Sequence, residues 1–194
     1  MIDVYKIIKN TKVEGPESRF CIWVQGCSRR CRGCYATQTW EFGVGTKYSV
    51  EQLFDMINSE KEIQGLTFLG GEPFEQAKEL AQLAAMIKSC CLSVVCFTGY
   101  RYEDLQKSGN QDFHELLKNI DLLIDGEFDE GKFDLSRPWV GSSNQRYIFL
   151  SDRYSYEDII NSRNKFEARI NKDGKLELNG MGNFAKISKD LDII

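Results

Sequence analysis

The chain has 194 residues, of which 42% are hydrophobic and 28% are charged, a composition typical of one globular domain with a buried core. A net charge of −4 is unfavourable for binding nucleic acid, and no apolar run reaches the roughly 20 residues that a membrane span needs. The amino-terminal stretch has scattered lysines and no continuous apolar core, which argues against a signal peptide. We therefore expect a cytoplasmic protein whose partners include neither nucleic acid nor a membrane.

Strand patterns alternate with amphipathic helix patterns along the chain. The predicted strands cover residues 19–26, 66–70, 92–97, 121–128 and 146–150. The predicted helices cover residues 50–60, 74–90, 101–109 and 113–120. Ser49 and Gln52 have the spacing of a capping box at the first helix. Leu80, Leu83, Ala84 and Ile87 recur at helical spacing in the second.

This order of elements predicts a parallel sheet with right-handed crossovers. We count about five βα units, fewer than a closed eightfold barrel of about 250 residues requires. The predicted fold is therefore α/β, an incomplete TIM-like barrel of parallel strands. A C-terminal β-hairpin, turning at Asp173-Gly174, is expected to be appended to it.

Three of the seven cysteines lie close together in "QGCSRRCRGCYATQTW", where Cys27, Cys31 and Cys34 have the spacing C-x3-C-x2-C. In a chain that looks cytoplasmic, this favours a metal or cluster site over a disulfide framework. One interpretation is structural zinc, with a fourth ligand drawn from the set His114, Cys21, Cys90, Cys91 and Cys96. The other is a [4Fe-4S] cluster held by three thiolates, which leaves one iron open. The spacing alone leaves both open.

The arginines between these cysteines have three possible roles. Arg29, Arg30 and Arg32 could ease the reduction of an anionic cluster, or they could lie in an ordinary solvated loop. A third use would be contact with an acidic partner. We expect the remaining cysteines, Cys21, Cys90, Cys91 and Cys96, to be core or incidental thiols.

Polar or glycine-rich turns follow the predicted strands, where ligands gather in open α/β sheets. Gly70-Gly71-Glu72 is either a turn that starts a helix at Pro73 or a site where backbone approaches a ligand closely. Thr98, Gly99 and Asp125 lie at later strand ends. The polar run Ser142–Arg146 enters an apolar strand, as a binding segment or as a capped surface turn.

The combination resembles the radical S-adenosylmethionine (SAM) superfamily, and within it the activating proteins of class III, anaerobic ribonucleotide reductases. The motifs are "EGPESRFCIWVQGC", "CRGCYATQTW", "LGGEPF", "TGYRYEDL", "LLIDGEFDE" and "GSSNQRYI". These motifs run from about residue 4 to residue 150. We expect one radical SAM domain over residues 1–194, with a core at about 4–150 and a C-terminal appendage at about 163–194. That appendage would cover an edge strand or dock a partner.

The resemblance also implies a mechanism. Cys27, Cys31 and Cys34 would hold a [4Fe-4S] cluster whose open iron binds SAM. Reductive cleavage of SAM would give a 5′-deoxyadenosyl radical, which takes a hydrogen atom from a glycine of the reductase. An electron donor such as flavodoxin or ferredoxin would reduce the cluster.

By the same resemblance, Gly70, Gly71 and Glu72 would hold the SAM ammonium group. The other implied SAM contacts are Tyr35, Thr98, Gly99 and Asp125. The implied contacts with SAM or the partner are Arg19, Arg29, Arg30, Asn144, Gln145 and Arg146.

The chain departs from the family pattern at three positions. Gly33 precedes the last cysteine where many superfamily members have an aromatic residue, Glu17 replaces a usual glycine, and Ala36 replaces a common asparagine. Two alternative functions remain: a small radical SAM enzyme acting on a small molecule or peptide, and a non-catalytic zinc-binding module.

Overall fold

The computed structural model describes residues 1–162, 166–170 and 172–182. The strands in this part are β1 (Ile2–Thr11), β2 (Arg19–Val24), β3 (Thr46–Tyr48), β4 (Gly65–Gly70), β5 (Ser93–Phe97), β6 (Leu122–Asp125), β7 (Arg146–Phe149), β8 (Phe166–Ile170) and β9 (Leu176–Gly180). The helices are α1 (Val50–Asn58), α2 (Ala77–Ser89), α3 (Tyr102–Lys107), α4 (Gln111–Lys118) and α5 (Tyr156–Ile160). No helix among these residues has the length and apolar character needed to cross a membrane.

The central sheet has the strand order β3-β1-β2-β4-β5-β6-β7. Its four middle strands, β2, β4, β5 and β6, are parallel and follow one another through helical crossovers. The fold is thus mixed α/β with a parallel centre, as the alternating patterns predicted.

The outer strands differ from the prediction of a sheet built from parallel strands alone. Strands β1, β3 and β7 all pair antiparallel with their neighbours. A parallel partner needs a long crossover, usually a helix, whereas only a short 3₁₀ turn, Glu130–Lys132, lies between β6 and β7. The described chain therefore has four parallel strands joined by three helical crossovers, fewer than the five βα units expected.

Strand β1 was not predicted, and its side chains alternate only in part in the way a half-buried strand requires. Ile2, Val4 and Ile8 are buried, while Tyr5 and Lys9 face outward. The lysines of this stretch hide the alternation when hydropathy alone is considered.

The helices that cover the sheet follow their local signals closely. The Ser49 hydroxyl accepts a hydrogen bond from the Gln52 N–H, and the Gln52 side chain accepts one from the Ser49 N–H, which confirms the capping box. The predicted apolar face of α2, Leu80, Leu83, Ala84 and Ile87, is buried in the main core. Because α1 connects β2 to β4 and α2 connects β4 to β5, these three strands run in the same direction.

The predicted C-terminal hairpin is present as β8 and β9, which pair antiparallel around Asp173-Gly174. Polar side chains of the hairpin contact the end of β1, away from the residues Ile2–Val4 that pair with β3. Glu167 accepts a hydrogen bond from the Thr11 hydroxyl, and Arg169 donates one to the Asn10 carbonyl. The rest of the predicted appendage, residues 163–165, 171 and 183–194, lies outside the described residues.

Candidate active site

The loop that carries the three cysteines begins where β2 ends. Gly26 has a φ of +99°, a left-handed conformation that favours glycine, and turns the chain out of the sheet. The far end of the loop returns to the same place, because the Gly26 N–H donates to the Thr39 carbonyl (2.8 Å) and the Cys27 N–H to the Trp40 carbonyl (3.1 Å). The loop is therefore closed at its base, and its cysteines are confined to one end of the sheet.

All three cysteines of this loop are free thiols of intermediate burial. Burial raises the pKa of Cys27, which is opposed by backbone N–H groups of Arg30 and Arg29. Burial likewise raises the pKa of Cys31, opposed by the backbone N–H of Phe128. Backbone N–H groups directed at sulfur are the arrangement that stabilises a metal-bound thiolate.

The three cysteines line one cavity together with the turns that follow the neighbouring parallel strands. The lining residues that the sequence predicted for the site are Cys27, Cys31, Cys34, Arg29, Gly70, Gly71, Glu72, Thr98, Gly99 and Gln145. Because these residues follow β2, β4, β5 and β6, the expectation that the working groups gather at the carboxyl ends is met.

The Gly70-Gly71 turn is joined to the base of the cysteine loop by backbone contacts. The Gly71 N–H donates to the Val24 carbonyl and the Glu72 N–H to the Gly26 carbonyl, each at 2.8 Å. A Cβ atom on Gly71 would collide with the Gly26 carbonyl oxygen, and Gly70 has a φ of +101°. Both positions therefore require glycine, for reasons of close approach and backbone conformation.

Glu72 is fully buried behind this turn, and its carboxylate is held by three donors. The Thr98 hydroxyl (2.8 Å) and the Phe74 N–H (3.0 Å) donate to Oε1, and the Gly99 N–H (2.8 Å) donates to Oε2. Burial raises the pKa of Glu72 to about 7, although these hydrogen bonds favour the ionised form. Thr98 and Gly99 thus position an acidic group at the cavity.

Four further lining residues were not predicted as site residues: Trp40, Phe97, Gly126 and Phe128. They make one side of the cavity apolar. The strand-end rule could have found Gly126, which directly follows β6. The aromatic residues carry no local signal of their own, because their position depends on how the loops fold over the sheet.

Asp125 and Arg146 are paired with each other. The fully buried Asp125 accepts hydrogen bonds from Arg146 Nε (2.9 Å) and Nη2 (2.5 Å), and from the Tyr102 N–H (2.8 Å). Arg146 also makes a bidentate contact with Glu103. Neither residue is among those that line the cavity, so a direct contact of either with SAM stays a prediction.

The polar run before β7 is anchored to the β6 end of the site. Gln145 Nε2 donates to the Gly126 carbonyl (3.1 Å), and its Oε1 accepts from the Gly141 N–H (2.8 Å). Asn144 Nδ2 donates to the Glu127 carbonyl (2.8 Å). Gln145 lines the cavity, whereas Asn144 lies beside it.

Two other predicted residues, Tyr35 and Arg30, lie away from the cavity lining. Tyr35 is 61% exposed and makes an edge contact with Phe128. Arg30 is paired with Glu41 at 3.0 Å on the outside of the loop. Their predicted contacts with SAM or a partner are not tested by these positions.

Arg19 lies at the opposite end of the sheet, where β2 begins. It is fully buried, and its guanidinium donates to the hydroxyls of Ser93 (2.6 Å), Tyr154 (3.1 Å) and Thr67 (3.1 Å). It also donates to the carbonyls of Leu66 and Ser93. The structure therefore does not bring Arg19 to the other predicted site residues.

The residues considered as a fourth zinc ligand are also absent from the lining described here. Cys21 and Cys96 are buried, Cys90 and Cys91 are exposed after α2, and His114 lies on α4 beside the Gln106 carbonyl. Among the described residues, no group of three or more His, Cys, Asp or Glu side chains is gathered as a single metal ion requires.

The residues present fit an iron–sulfur cluster. Three thiols share a cavity with a glycine turn whose backbone is open to close approach, and with the buried acid Glu72. Arg29 Nε is buried there without a hydrogen-bond acceptor among the described residues, as expected where an acidic ligand would bind.

Comparison with known proteins gives consistent results. A family model described as "4Fe-4S single cluster domain" matches residues 13–148. The chain is 32% identical over 140 residues to the anaerobic ribonucleoside-triphosphate reductase-activating protein of Enterobacteria phage T4, covering 69% of this chain and 85% of that protein. It is 35% identical over 142 residues to the protein of the same name from Pasteurella multocida, covering 69% and 88%.

A third protein of that name, from Escherichia coli K12, is 31% identical over 141 residues, covering 69% of this chain and 89% of its own length. Among solved structures, QueE from Escherichia coli is similar at a TM-score of 0.42 and 20% identity, covering 50% of this chain and 52% of that one.

Proposed function

Because this chain belongs to the family of anaerobic ribonucleoside-triphosphate reductase-activating proteins, with their 4Fe-4S single cluster domain, we propose that it is a radical SAM activase. Its protein substrate would be an anaerobic ribonucleotide reductase, on which it generates a glycyl radical. The observation that carries the proposal is the cavity shared by the three cysteines and the Gly70-Gly71-Glu72 turn.

In this proposal Cys27, Cys31 and Cys34 are the ligands of a [4Fe-4S] cluster, and the fourth iron is left for SAM. When bound, the cluster would supply an electron and SAM a sulfonium group, whose reductive cleavage gives the 5′-deoxyadenosyl radical that takes a hydrogen atom from glycine. The chain supplies position and protection from water. Trp40, Phe97 and Phe128 make the apolar part of the cavity that excludes water.

The Gly70-Gly71-Glu72 turn would hold the α-ammonium group of SAM. Because Gly70 and Gly71 carry no Cβ, their backbone can approach the ligand closely. Glu72 is an acceptor fixed by Thr98 and Gly99, and a cationic ammonium beside it would favour its ionised form.

We extend the proposal to the organisation of the chain and its partners. Residues 1–194 form a single radical SAM domain with its core at about 4–150, and the sheet acts as a partial barrel around the cluster. The β8–β9 hairpin belongs to an appendage over about 163–194. An electron donor such as flavodoxin or ferredoxin supplies the electron.

The direct test is a glycyl radical on the reductase. Anaerobically reconstituted protein is reduced, mixed with SAM and an anaerobic ribonucleotide reductase, and examined by electron paramagnetic resonance. We expect a glycyl radical signal that requires SAM. SAM consumption without a radical on the reductase would instead favour the small enzyme acting on a small molecule or peptide.

Metal analysis separates the proposal from a zinc-binding module. After anaerobic purification we expect a brown protein containing iron and sulfide, bleached by air. A colourless protein that retains one zinc ion and unfolds on chelation would overturn the proposal.

A further inference from the structure

Arg29 is held inside the cavity from two directions. Its Nη2 donates to Glu127 Oε2 at 3.0 Å, and its Cζ lies 4.8 Å from the centre of the Tyr100 ring. The side chain is 26% exposed, whereas that of Arg32 in the same loop is 93% exposed. Arg29 is thus a fixed side chain, unlike its neighbour.

The turn after β5 leaves room for this guanidinium. A Cβ atom on Gly99 would lie 2.6 Å from Arg29 Cδ and 2.9 Å from Nε. Any side chain at position 99 would displace the arginine, so glycine admits Arg29 to the part of the cavity that contains Glu72. The Thr98-Gly99 turn therefore donates hydrogen bonds to Glu72 and also leaves space for Arg29.

One donor of Arg29 has no acceptor. Nε is buried and makes no hydrogen bond within the described residues, although a buried N–H group normally has a partner. Glu72 Oε2 lies close by, 3.5 Å from the same Cβ position on Gly99, but it is bonded to the Gly99 N–H. The cavity therefore presents a free cationic donor beside a buried carboxylate.

This pairing matches the head group of an α-amino acid, whose ammonium and carboxylate are separated by one carbon. Resting on the proposed function, we propose that Arg29 Nε–H binds the carboxylate of SAM while Glu72 accepts from its ammonium. Arg29 is then a binding residue that orients the methionine part of SAM toward the open iron. Its salt bridge to Glu127 holds the guanidinium in place.

The test compares two ligands, SAM and decarboxylated SAM, which lacks only the carboxylate. Dissociation constants are measured by equilibrium dialysis on the anaerobically reconstituted protein and its variants. Arg29→Gln is expected to weaken SAM binding about ten- to a hundredfold, the loss typical of a charge-assisted hydrogen bond, and to weaken decarboxylated SAM by less than about twofold. Equal loss for both ligands would overturn the proposal.

Three further variants control the interpretation. Arg32→Gln removes the same charge from the same loop outside the cavity, and we expect it to leave SAM affinity within about twofold. Glu127→Gln keeps Arg29 but removes its salt bridge, and it should cost less than Arg29→Gln. Arg29→Lys keeps the charge but lacks the Nε donor, and we expect it to lower SAM affinity at least about fivefold. This variant replaces Arg29→Gln in the test if Arg29→Gln does not take up iron.

The cluster itself provides a second readout. If Arg29 instead contacted a cluster sulfur, Arg29→Gln would shift the reduction potential of the cluster in the absence of SAM. It would also lower the affinities for SAM and decarboxylated SAM by similar factors. These two results together would contradict the proposal. Failure of wild-type protein with a full cluster to bind SAM would overturn both the inference and the proposed function. Normal SAM binding by Arg29→Gln would overturn the inference alone.

Discussion

Gly71 and Gly26 lie in direct backbone contact, so that the turn after β4 and the start of the cysteine loop form one unit. The contact leaves no space for a Cβ on Gly71, and the Glu72 N–H donates to the Gly26 carbonyl beside it. A change at Gly71 should therefore reach the cysteines even though the two motifs are separated in sequence.

We predict that Gly71→Ala reduces cluster content and lowers stability. The added methyl would push the two backbone segments apart, at a cost typical of overpacking, about 1–3 kcal/mol. Iron and sulfide per chain, and the melting temperature, measure the two effects. Gly131→Ala is the matched control, because its Cβ would meet only the Asp129 carboxylate, at 3.2 Å. Equal iron content in both variants would contradict the prediction.

A second prediction concerns Glu14, a buried acid that joins the hairpin to the sheet. Its Oε1 accepts from the Gly180 N–H (2.7 Å) and Asn179 Nδ2 (3.4 Å), and burial raises its pKa to about 7. Glu167 nearby raises this pKa further, whereas the Asn179 and Gly180 contacts and Lys6 lower it.

Since the folded pKa lies above the unfolded value of 4.5, the folded state binds more protons between these values. Stability from Glu14 is therefore present below about pH 4.5 and is lost as the pH rises toward 7, by up to about 1.4 kcal/mol per pH unit. Urea unfolding from pH 5 to 8 should show this loss. Glu14→Gln should reduce the slope and leave the part contributed by Glu72, whose pKa burial also raises to about 7, and an unchanged slope would show that Glu14 does not titrate in this range.

A third prediction concerns Arg19, which connects three strands at the amino end of the sheet. Arg19→Leu would remove the donor to the buried hydroxyls of Ser93 and Thr67 and to the Ser93 carbonyl, and we expect a loss of about 1–3 kcal/mol in unfolding free energy. Arg153→Leu removes a partly exposed arginine and should cost about 1 kcal/mol or less. Denaturant titration compares the two, and similar losses would contradict this role for Arg19.

Local signals predicted much of the fold. The Ser49–Gln52 cap, the apolar face of α2 and the hairpin at Asp173-Gly174 depend on residues close in sequence, and all three are present. The direction of β7 and the existence of β1 were missed, because strand pairing is decided by segments far apart in the chain. The pairing of β7 with β6 and of β1 with β2 determines both.

The site shows the same division. The cysteine spacing and the glycine turn are each visible within a few residues of sequence, and both motifs line one cavity. Arg19 was grouped with the site because it belongs to a motif, yet its hydrogen bonds reach residues 47 to 135 positions away. Glu17 stands where the family usually has glycine, and its φ of +64° is a left-handed conformation that favours glycine. The sequence therefore departs from the family pattern at a left-handed turn at the amino end of the sheet.

The central claim, radical SAM chemistry at the three-cysteine cavity, is tested most directly by 5′-deoxyadenosine formation. Wild-type protein, Cys31→Ala and Cys90→Ala are reconstituted anaerobically with iron and sulfide, reduced with dithionite and given SAM. Cys90 is exposed and does not line the cavity, so its variant controls for the loss of a cysteine. We predict 5′-deoxyadenosine from the wild type and Cys90→Ala and none above background from Cys31→Ala. Equal formation by all three proteins, or none from wild type with a full cluster and the reductase present, would contradict the account.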